Sequence, residues 1–258
     1  MPDLIYEKKG HLAYITLNRP QALNAMTNQM KKQLSQIWAD FRDDAEAWVA
    51  IISGSGGKAF SAGSDIKEFT TMEGFGQGLI YQEIQALQEG YIDLWKPIIA
   101  AIDGWCVGGG LELALACDIR VATAESKFGL AEPKIGRVAS GGGTMRLPAQ
   151  IPFAIAMEMI LTGDPIDARR AYEVGLINQV VSTSAELMPA AEKMAERILA
   201  CSPVSVSLSK EHALRGFNLP IATQLAMRRI GREADASEDA VEGARAFAEK
   251  RKPRWKNK

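Results

Sequence analysis

The sequence predicts an α/β core followed by a helical C-terminal region. Up to residue 181, short apolar runs of strand length alternate with segments of helical periodicity. From residue 185 onward no further strand pattern occurs, and helical segments follow one another to the end of the chain. We therefore expect an α/β core over residues 1–195 and a C-terminal helical region over residues 196–258.

The strands are predicted from short apolar runs that end at turn residues. The first two surround the Lys9-Gly10 turn, and the second shows period-two alternation. The segments at residues 49–53 and 98–102 are short apolar runs, which indicate buried strands. The predicted strands cover residues 4–7, 12–17, 49–53, 98–102, 118–122 and 177–181.

The helices are predicted from apolar residues repeated at intervals of three and four. Thr27 suits the N-cap of the first, which runs to about residue 44 with Met30, Leu34 and Trp38 on one face. The other predicted helices cover residues 77–94, 155–162, 167–174, 185–200, 203–216, 219–234 and 237–251.

Composition excludes several classes of protein. The formal net charge is −1, from 30 Lys+Arg and 31 Asp+Glu, so no global field favours nucleic acid. The three cysteines show no CxxC or CxxH spacing, which argues against a disulfide framework or a zinc site. No apolar run is long enough to span a bilayer, and the N-terminus lacks a signal-peptide core. We expect a cytoplasmic protein with no metal and with neither a nucleic-acid nor a membrane partner.

Common catalytic motifs are incomplete. Neither glycine-rich loop finishes the G-x-G-x-x-G pattern, and no Walker A, G-x-S-x-G or H-E-x-x-H sequence occurs. The chain has only two histidines, one in a predicted strand and one in a predicted helix. Nucleotide redox chemistry, serine hydrolysis and zinc hydrolysis are therefore poorly supported.

Residues 98–147 contain the parts of a different chemistry. Gly109 is the middle of three glycines that precede a helix-forming run, where free N–H groups and the helix dipole suit an oxyanion. Glu112 falls in the first turn of that helix, and Glu132 follows an apolar run further on. Oxyanion donors with two carboxylates are what proton transfer next to a carbonyl requires. The simpler interpretation, glycines for packing and a solvated helix acid, is outweighed once the loop at residues 61–67 is considered.

With that loop included, the sequence resembles the crotonase (enoyl-CoA hydratase/isomerase) superfamily over nearly its whole length. Each motif alone is weak, but their order and spacing together are highly specific. The matching segments are residues 18–25 (NRPQALNA), 60–69, 108–113 (GGGLEL), 128–147, Gly163, 168–175 and 247–251 (FAEKR).

The resemblance implies a fold and a ligand. The fold is a spiral of β-β-α units with a C-terminal helical region that forms a homotrimer, often doubled to a hexamer. The ligand is an acyl-CoA thioester, with no separate cofactor because coenzyme A is part of the substrate. The thioester oxygen would accept from the N–H groups of Ser64 and Gly109. CoA would be lined by residues near both ends of the chain: Ala22, Ala62, Asp65, Ile66, Lys67, Phe247 and Lys250.

The two acids imply the reaction. Glu112 and Glu132 match the two glutamates of enoyl-CoA hydratases, which add water reversibly and syn to a trans-2-enoyl-CoA, as in β-oxidation of fatty acids. Members that only shift a double bond typically keep the second acid and lose the first. The sequence leaves open which glutamate is the base. It also leaves open a carnitinyl-CoA dehydratase-like activity and a Δ3,Δ2-enoyl-CoA isomerase, whereas an RNA-binding relative is disfavoured by the balanced charge.

One departure from the family pattern concerns the acyl pocket. Ser140 stands where a glycine usually shapes the acyl end of the pocket, next to Gly141. This departure leaves the acyl preference open, including that for simple straight-chain enoyl substrates.

Overall fold

The computed structural model describes residues 2–69, 93–217, 219–220, 222–223 and 229–258. Within them, the strands form one six-stranded sheet and one four-stranded sheet of shorter strands. The helix predicted at residues 77–94 lies almost entirely outside the described residues, as does part of the helix predicted at 219–234.

The elements are numbered in chain order. The strands are β1 (Leu4–Lys9), β2 (Leu12–Leu17), β3 (Val49–Gly54), β4 (Ala59–Ser61), β5 (Ile98–Ile102), β6 (Trp105–Val107), β7 (Ile119–Thr123), β8 (Lys127–Gly129), β9 (Ile166–Asp167) and β10 (Gln179–Val181). The helices are α1 (Asn28–Asp43), α2 (Gly109–Ala116), α3 (Gly143–Gln150), α4 (Phe153–Thr162), α5 (Ala168–Glu173), α6 (Ser184–Leu199), α7 (Pro203–Gly216), α8 (Arg229–Asp235) and α9 (Glu238–Ala248). Short 3-10 turns occur at Pro20–Ala22, Ile66–Phe69 and Glu132–Ile135.

The large sheet is buried on both faces, which explains its continuous apolar sequences. Ile52 and Ile98 point into the main core, whereas their neighbours Ile51 and Ile99 belong to a second cluster on the opposite face. Helix α6 covers that opposite face with small and branched residues such as Ala191. The strand order in this sheet is β1-β2-β3-β5-β7-β10, and that of the shorter sheet is β4-β6-β8-β9. In the large sheet, β1 pairs antiparallel with β2, and every other pair of neighbouring strands is parallel.

The chain alternates between the two sheets as it proceeds. Strand β3 of the large sheet is followed by β4 of the short sheet, and the same step recurs from β5 to β6 and from β7 to β8. Helix α2 follows the second pair and α3 follows the third. This alternation is the β-β-α repeat that the resemblance implies.

The short sheet was missed in the sequence because its strands are only two or three residues long, too short to show periodicity. Strands β4, β6 and β8 are parallel, and Cys106 of β6 lies between Ser61 of β4 and Phe128 of β8. Helix α3 was also missed, since a run of glycines precedes it and Pro148 lies within it. The carboxyl ends of the three parallel strands therefore meet at one edge.

Helix α2 is buried on all sides, as an apolar helix in a protein interior must be. Its C-terminal end is held by Arg120, whose side chain is itself buried. The guanidinium donates to the carbonyl oxygens of Ala114 and Cys117, both at 2.9 Å, and to that of Leu176 at 2.6 Å. A cation at this end also complements the helix dipole.

The C-terminal region ends in a segment that is docked on the protein rather than solvated. Asp239, at the start of α9, accepts from the backbone N–H of Lys256 at 2.8 Å and from the hydroxyl of Ser202 at 3.0 Å. The indole of Trp255 donates to the carbonyl of Ala200 at 3.1 Å. Residue 195 lies inside α6, and the predicted division of the chain there stays a prediction. Among the described residues, no helix has the length and apolarity needed to cross a membrane.

Replacing Arg120 with Met should destabilise the fold by about 3 kcal/mol or more, because three buried carbonyl groups would lose a charged donor. Thermal or denaturant unfolding measures the effect. The matched control is Arg169→Met on the exposed face of α5, where the side chain is 88% exposed and paired with Glu173. That surface change should alter stability by less than about 0.5 kcal/mol. Similar losses in both variants would contradict the role assigned to Arg120.

Candidate active site

The predicted catalytic groups come together at the common edge of the three short parallel strands. Ser64 follows β4 by three residues, Gly109 follows β6 by two, and Glu132 follows β8 by three. Because parallel strands end on the same side of a sheet, these positions converge, as ligand-binding residues do in open α/β sheets. Glu112 joins them from the first turn of α2.

Two backbone N–H groups lie side by side, as the oxyanion-hole prediction requires. If Gly109 carried a Cβ atom, that atom would lie 3.5 Å from the backbone nitrogen of Ser64. A Cβ atom added to Gly63 would lie only 2.8 Å from the backbone nitrogen of Gly109. The Met26 N–H donates to the carbonyl of Gly63 at 2.7 Å, and the Asp65 N–H donates to Met26 at 2.9 Å. Since N–H groups alternate along an extended chain, that of Ser64 points away from Met26. Gly109 begins a helix, so its N–H lies outside the helical ladder.

Glu112 is a buried carboxylate held by the backbone of the second glycine cluster. Its Oε1 accepts from the N–H of Gly143 at 3.0 Å, and a Cβ on Gly141 would lie 2.7 Å from Oε2. Burial raises the pKa of Glu112, while the backbone of Gly143 and Gly141 and then the charges of Lys31 and Arg146 pull it back down. These four neighbours favour the ionised form against the cost of burial.

Glu132 has a less supportive environment. It starts a 3-10 turn, and its buried Oε2 has no hydrogen-bond partner among the described residues. Its other oxygen faces the start of α2, where a Cβ on Gly108 would lie 3.2 Å away. Burial raises the pKa of Glu132 to about 7, with the negative charge of Glu112 adding to the rise, while its own N–H and the Arg137 charge oppose it. A carboxyl group that titrates near neutrality in a cleft is typical of a general acid or base.

Gly141 lies directly against Glu112, since a Cβ on it would be 2.7 Å from Oε2. Ser140 is exposed, and its N–H donates to the carbonyl of Val138 at 2.8 Å. The assignment of Ser140 and Gly141 to the acyl pocket stays a prediction.

Residues predicted to line the CoA pocket lie on two loops that contact each other: Ala22, Ala62, Asp65, Ile66 and Lys67. The N–H of Ala62 donates to the carbonyl of Leu23 at 2.9 Å. The carboxylate of Asp65 pairs with Arg19 at 3.1 Å, and Ile66 is 55% exposed. The loops thus form one surface beside the N–H pair, and CoA binding there stays a prediction.

Asn24, whose structural role the sequence did not reveal, joins these loops. It is fully buried with a φ of 55°, a conformation that asparagine tolerates better than most residues. Its side-chain amide donates to the carbonyls of Ser55 at 2.9 Å and Ala59 at 2.7 Å, and its Oδ1 accepts from the N–H of Arg19 at 2.9 Å. The only signal was its place in the motif at residues 18–25.

Lys31 was also missed. It lies on α1, is 6% exposed, and donates through Nζ to the hydroxyl of Ser64 at 2.8 Å. In the sequence it stands beside Lys32 and reads as a solvated helix cation, because nothing local distinguishes the two lysines. Its proximity to the N–H pair arises only from tertiary packing.

Phe247 and Lys250 belong to the C-terminal region. Phe247 is 87% exposed on α9, and Lys250 follows the helix with a φ of 53°. Among the described residues, neither forms a hydrogen bond or ion pair with the groups around Glu112. Their predicted contact with CoA stays a prediction.

Comparison with known proteins identifies the family of the chain. The family model described as "Enoyl-CoA hydratase/isomerase" matches residues 7–258. The chain belongs to the enoyl-CoA hydratase/isomerase family. The crotonase resemblance seen in the sequence is thereby confirmed.

Similar proteins extend this match over the whole chain. An (E)-benzylidenesuccinyl-CoA hydratase from Thauera aromatica is 40% identical over 97% of each chain. A carnitinyl-CoA dehydratase from Citrobacter koseri is 39% identical over 99% of each. The solved structure of an enoyl-CoA hydratase from Mycobacterium tuberculosis H37Rv aligns over 100% of both chains with a TM-score of 0.92 and 39% identity. These matches confirm the predicted α/β spiral fold and the predicted hydro-lyase class of this family member.

Replacing Glu132 with Gln should raise the melting temperature at about pH 8 and change it little at about pH 5. Between an ordinary value of 4.5 and the folded value of about 7, the native state holds a proton that the unfolded state has released. Stability is therefore lost as the pH rises through this window, and the loss is complete above it. A neutral amide avoids the loss. The control is Glu125→Gln at an exposed position, and its effect on the melting temperature should be the same at both pH values. If the effect of Glu132→Gln on the melting temperature were also independent of pH, the raised pKa of Glu132 would be contradicted.

Proposed function

We propose that the chain catalyses the reversible syn-addition of water to a trans-2-enoyl-CoA thioester, with Glu112 as the base and Glu132 as the acid in hydration. The observation that carries this assignment is the unequal environment of two carboxyl groups, buried Glu112 and partly buried Glu132, beside one pair of N–H donors. Hydration needs one ionised and one protonated group at the same moment.

The different neighbours of Glu112 and Glu132 support assigning one as the base and the other as the acid. Glu112 accepts a backbone hydrogen bond and lies near two cations, which favour its ionised form. Burial and the negative charge of Glu112 raise the pKa of Glu132 to about 7, so near neutral pH a substantial fraction of this carboxyl group still carries the proton that an acid must supply. Two neighbouring carboxyl groups whose pKa values are separated by their environments in this way serve as base and acid.

The reaction balances with these two groups and one water. Glu112 takes a proton from water while the water oxygen bonds to Cβ of the enoyl group. The π electrons of the double bond move toward the thioester and form an enolate, whose oxygen accepts from the N–H groups of Ser64 and Gly109. Glu132 then gives its proton to Cα. The product is a 3-hydroxyacyl-CoA, and exchange of one proton between the acids and solvent restores the starting state.

A polar residue at the acyl end favours a second candidate substrate. Ser140 places a hydroxyl beside Gly141 where the family pattern has glycine, and one relative is a carnitinyl-CoA dehydratase. Hydration of crotonobetainyl-CoA is the corresponding reaction. A panel of straight-chain, aryl and crotonobetainyl thioesters, followed by loss of the enoyl absorbance, ranks the acyl groups.

We also propose the remaining features that the family implies. The substrate is an acyl-CoA, the chain assembles as a homotrimer or homohexamer, and it acts in the cytoplasm. No separate cofactor is required, because two carboxyl groups and the N–H pair supply every proton transfer and charge contact in the reaction. Light scattering measures the assembly.

Glu112→Gln and Glu132→Gln should each lower kcat for the best substrate by about 100- to 10,000-fold, the usual contribution of a general acid or base. The double variant should lose far less than the product of the two factors, because the base and the acid act as a unit in one addition reaction. Steady-state hydration kinetics give the values. Glu125→Gln, on the surface, should turn over at the wild-type rate. Near-wild-type turnover in either single active-site variant would rule out the two-carboxylate mechanism.

Lys250→Ala should raise KM for an enoyl-CoA about fivefold and leave kcat nearly unchanged, because an exposed ammonium near a phosphate adds on the order of 1 kcal/mol to ground-state binding. The effect should shrink with a dephospho-CoA thioester, which lacks the 3′-phosphate, and at high salt. Lys252→Ala, two residues on, is the matched control. Equal penalties on the CoA and dephospho-CoA substrates would mean that Lys250 does not contact that phosphate.

A further inference from the structure

Lys31 occupies a place that is unfavourable for a cation in two ways. It lies in the first turn of α1, at the positive end of the helix dipole, where a positive charge is disfavoured. It is also 6% exposed, among residues of the apolar face such as Met30 and Leu34. Burial of an ammonium group is disfavoured unless hydrogen bonds compensate it. Departures of this kind from the rules of stability concentrate at functional sites.

The ammonium lies next to the predicted oxyanion hole. Nζ of Lys31 donates to the hydroxyl oxygen of Ser64 at 2.8 Å, and the backbone N–H of the same serine is one of the two donors. The hydroxyl of Ser64 also lies near the second donor, since a Cβ on Gly109 would be 3.6 Å from it. The charge of Lys31 further lowers the pKa of Glu112. The cation therefore stands near both the N–H pair and one of the two acids.

We propose that Lys31 is a positioning residue: its ammonium fixes the Ser64 side chain and places a positive charge beside the thioester oxygen, so that the N–H pair binds the enolate more strongly. This inference rests on the proposed hydration reaction. It also gives a reason for serine at position 64, where the family more often has alanine, since the serine hydroxyl accepts a hydrogen bond from the lysine and alanine has no acceptor in its side chain.

The effect belongs to the transition state. In the bound enoyl thioester the carbonyl oxygen carries only a partial charge, whereas in the enolate it carries most of a negative charge. A nearby cation in a water-poor site therefore stabilises the enolate more than the substrate. Interactions that strengthen only in the transition state raise kcat and leave KM nearly unchanged.

The first test compares two adjacent lysines of α1. Lys31→Met keeps most of the side-chain length and removes the charge, and Lys32→Met is the same change at an exposed position. We expect Lys31→Met to lower kcat about 10- to 100-fold, the range of a hydrogen bond to a charged group. KM should change less than about threefold, and the control should match the wild type. The melting temperature of Lys31→Met should stay or rise, because a buried charge is lost.

The second test asks whether Lys31 acts through Ser64. Ser64→Ala removes the hydroxyl but keeps the backbone N–H, so a double-mutant cycle measures the coupling between the two side chains. We expect Lys31→Met to lower kcat much less in the Ser64→Ala background than in the wild type. Additive losses would overturn the pairing.

The third test does not need turnover. A saturated acyl-CoA labelled with 13C at the thioester carbonyl binds without reacting, and infrared difference spectroscopy reports how strongly the oxygen is polarised. The shift of the carbonyl stretch to lower frequency on binding should be smaller in Lys31→Met than in the wild type and in Lys32→Met. An unchanged shift would overturn the inference.

The outcomes separate this inference from the proposed function. Wild-type protein that hydrates none of the thioesters in the panel would refute the proposed function. Active wild-type protein with an unaffected kcat in Lys31→Met would overturn the inference alone. A fall in melting temperature that accompanies the loss of kcat, or a higher KM with unchanged kcat, would also overturn it, since these results indicate a structural or a substrate-binding role.

Discussion

The site depends on the parallel alignment of three very short strands. Strands β4, β6 and β8 pair in parallel, with an irregularity between Ala59 and Ser61 of β4, so the residues that follow them emerge at one edge. The three positions supply Ser64, Gly109 and Glu132, although they lie far apart in the sequence. The larger sheet fixes this alignment, because each short strand continues from a strand of the buried parallel sheet. A shift of one residue in a short strand would turn a donor N–H to the opposite side.

The charged groups inside the molecule differ in how completely their hydrogen bonds are satisfied, and this difference matches the role assigned to each group. Arg120 is matched by three carbonyl oxygens and serves the fold. Glu112 is matched by one backbone N–H and by nearby cations, whereas one oxygen of Glu132 has no partner in the described part of the chain. An incompletely satisfied carboxyl is destabilising, but it can change its protonation state during a reaction, which a fully paired one cannot readily do.

The sequence predicted the helices and strands that are long enough to show a hydrophobic pattern, and the candidate site residues that belong to a compact motif. Helix α1 and the strands of five or six residues in the large sheet have enough residues for a pattern to show, whereas the short sheet has strands of only two or three residues. The positions of Glu112 and Gly109 followed from a compact motif. Asn24 and Lys31 could not be assigned roles, because their partners, Ala59 and Ser64, come from other segments that meet them only in the folded chain.

The division of labour between the two glutamates is likewise a property of the folded protein. Both are acids that follow apolar sequence, and nothing in their immediate neighbours separates a base from an acid. The difference arises because Gly143 and Lys31 reach Glu112 from α3 and α1, while Glu132 starts a turn whose own backbone gives it little compensation. Exchanging the environments would exchange the roles without moving either residue in the sequence. A family motif can therefore locate the candidate pair, but the proposed direction of proton transfer between its members follows from the helices that pack around each carboxyl group.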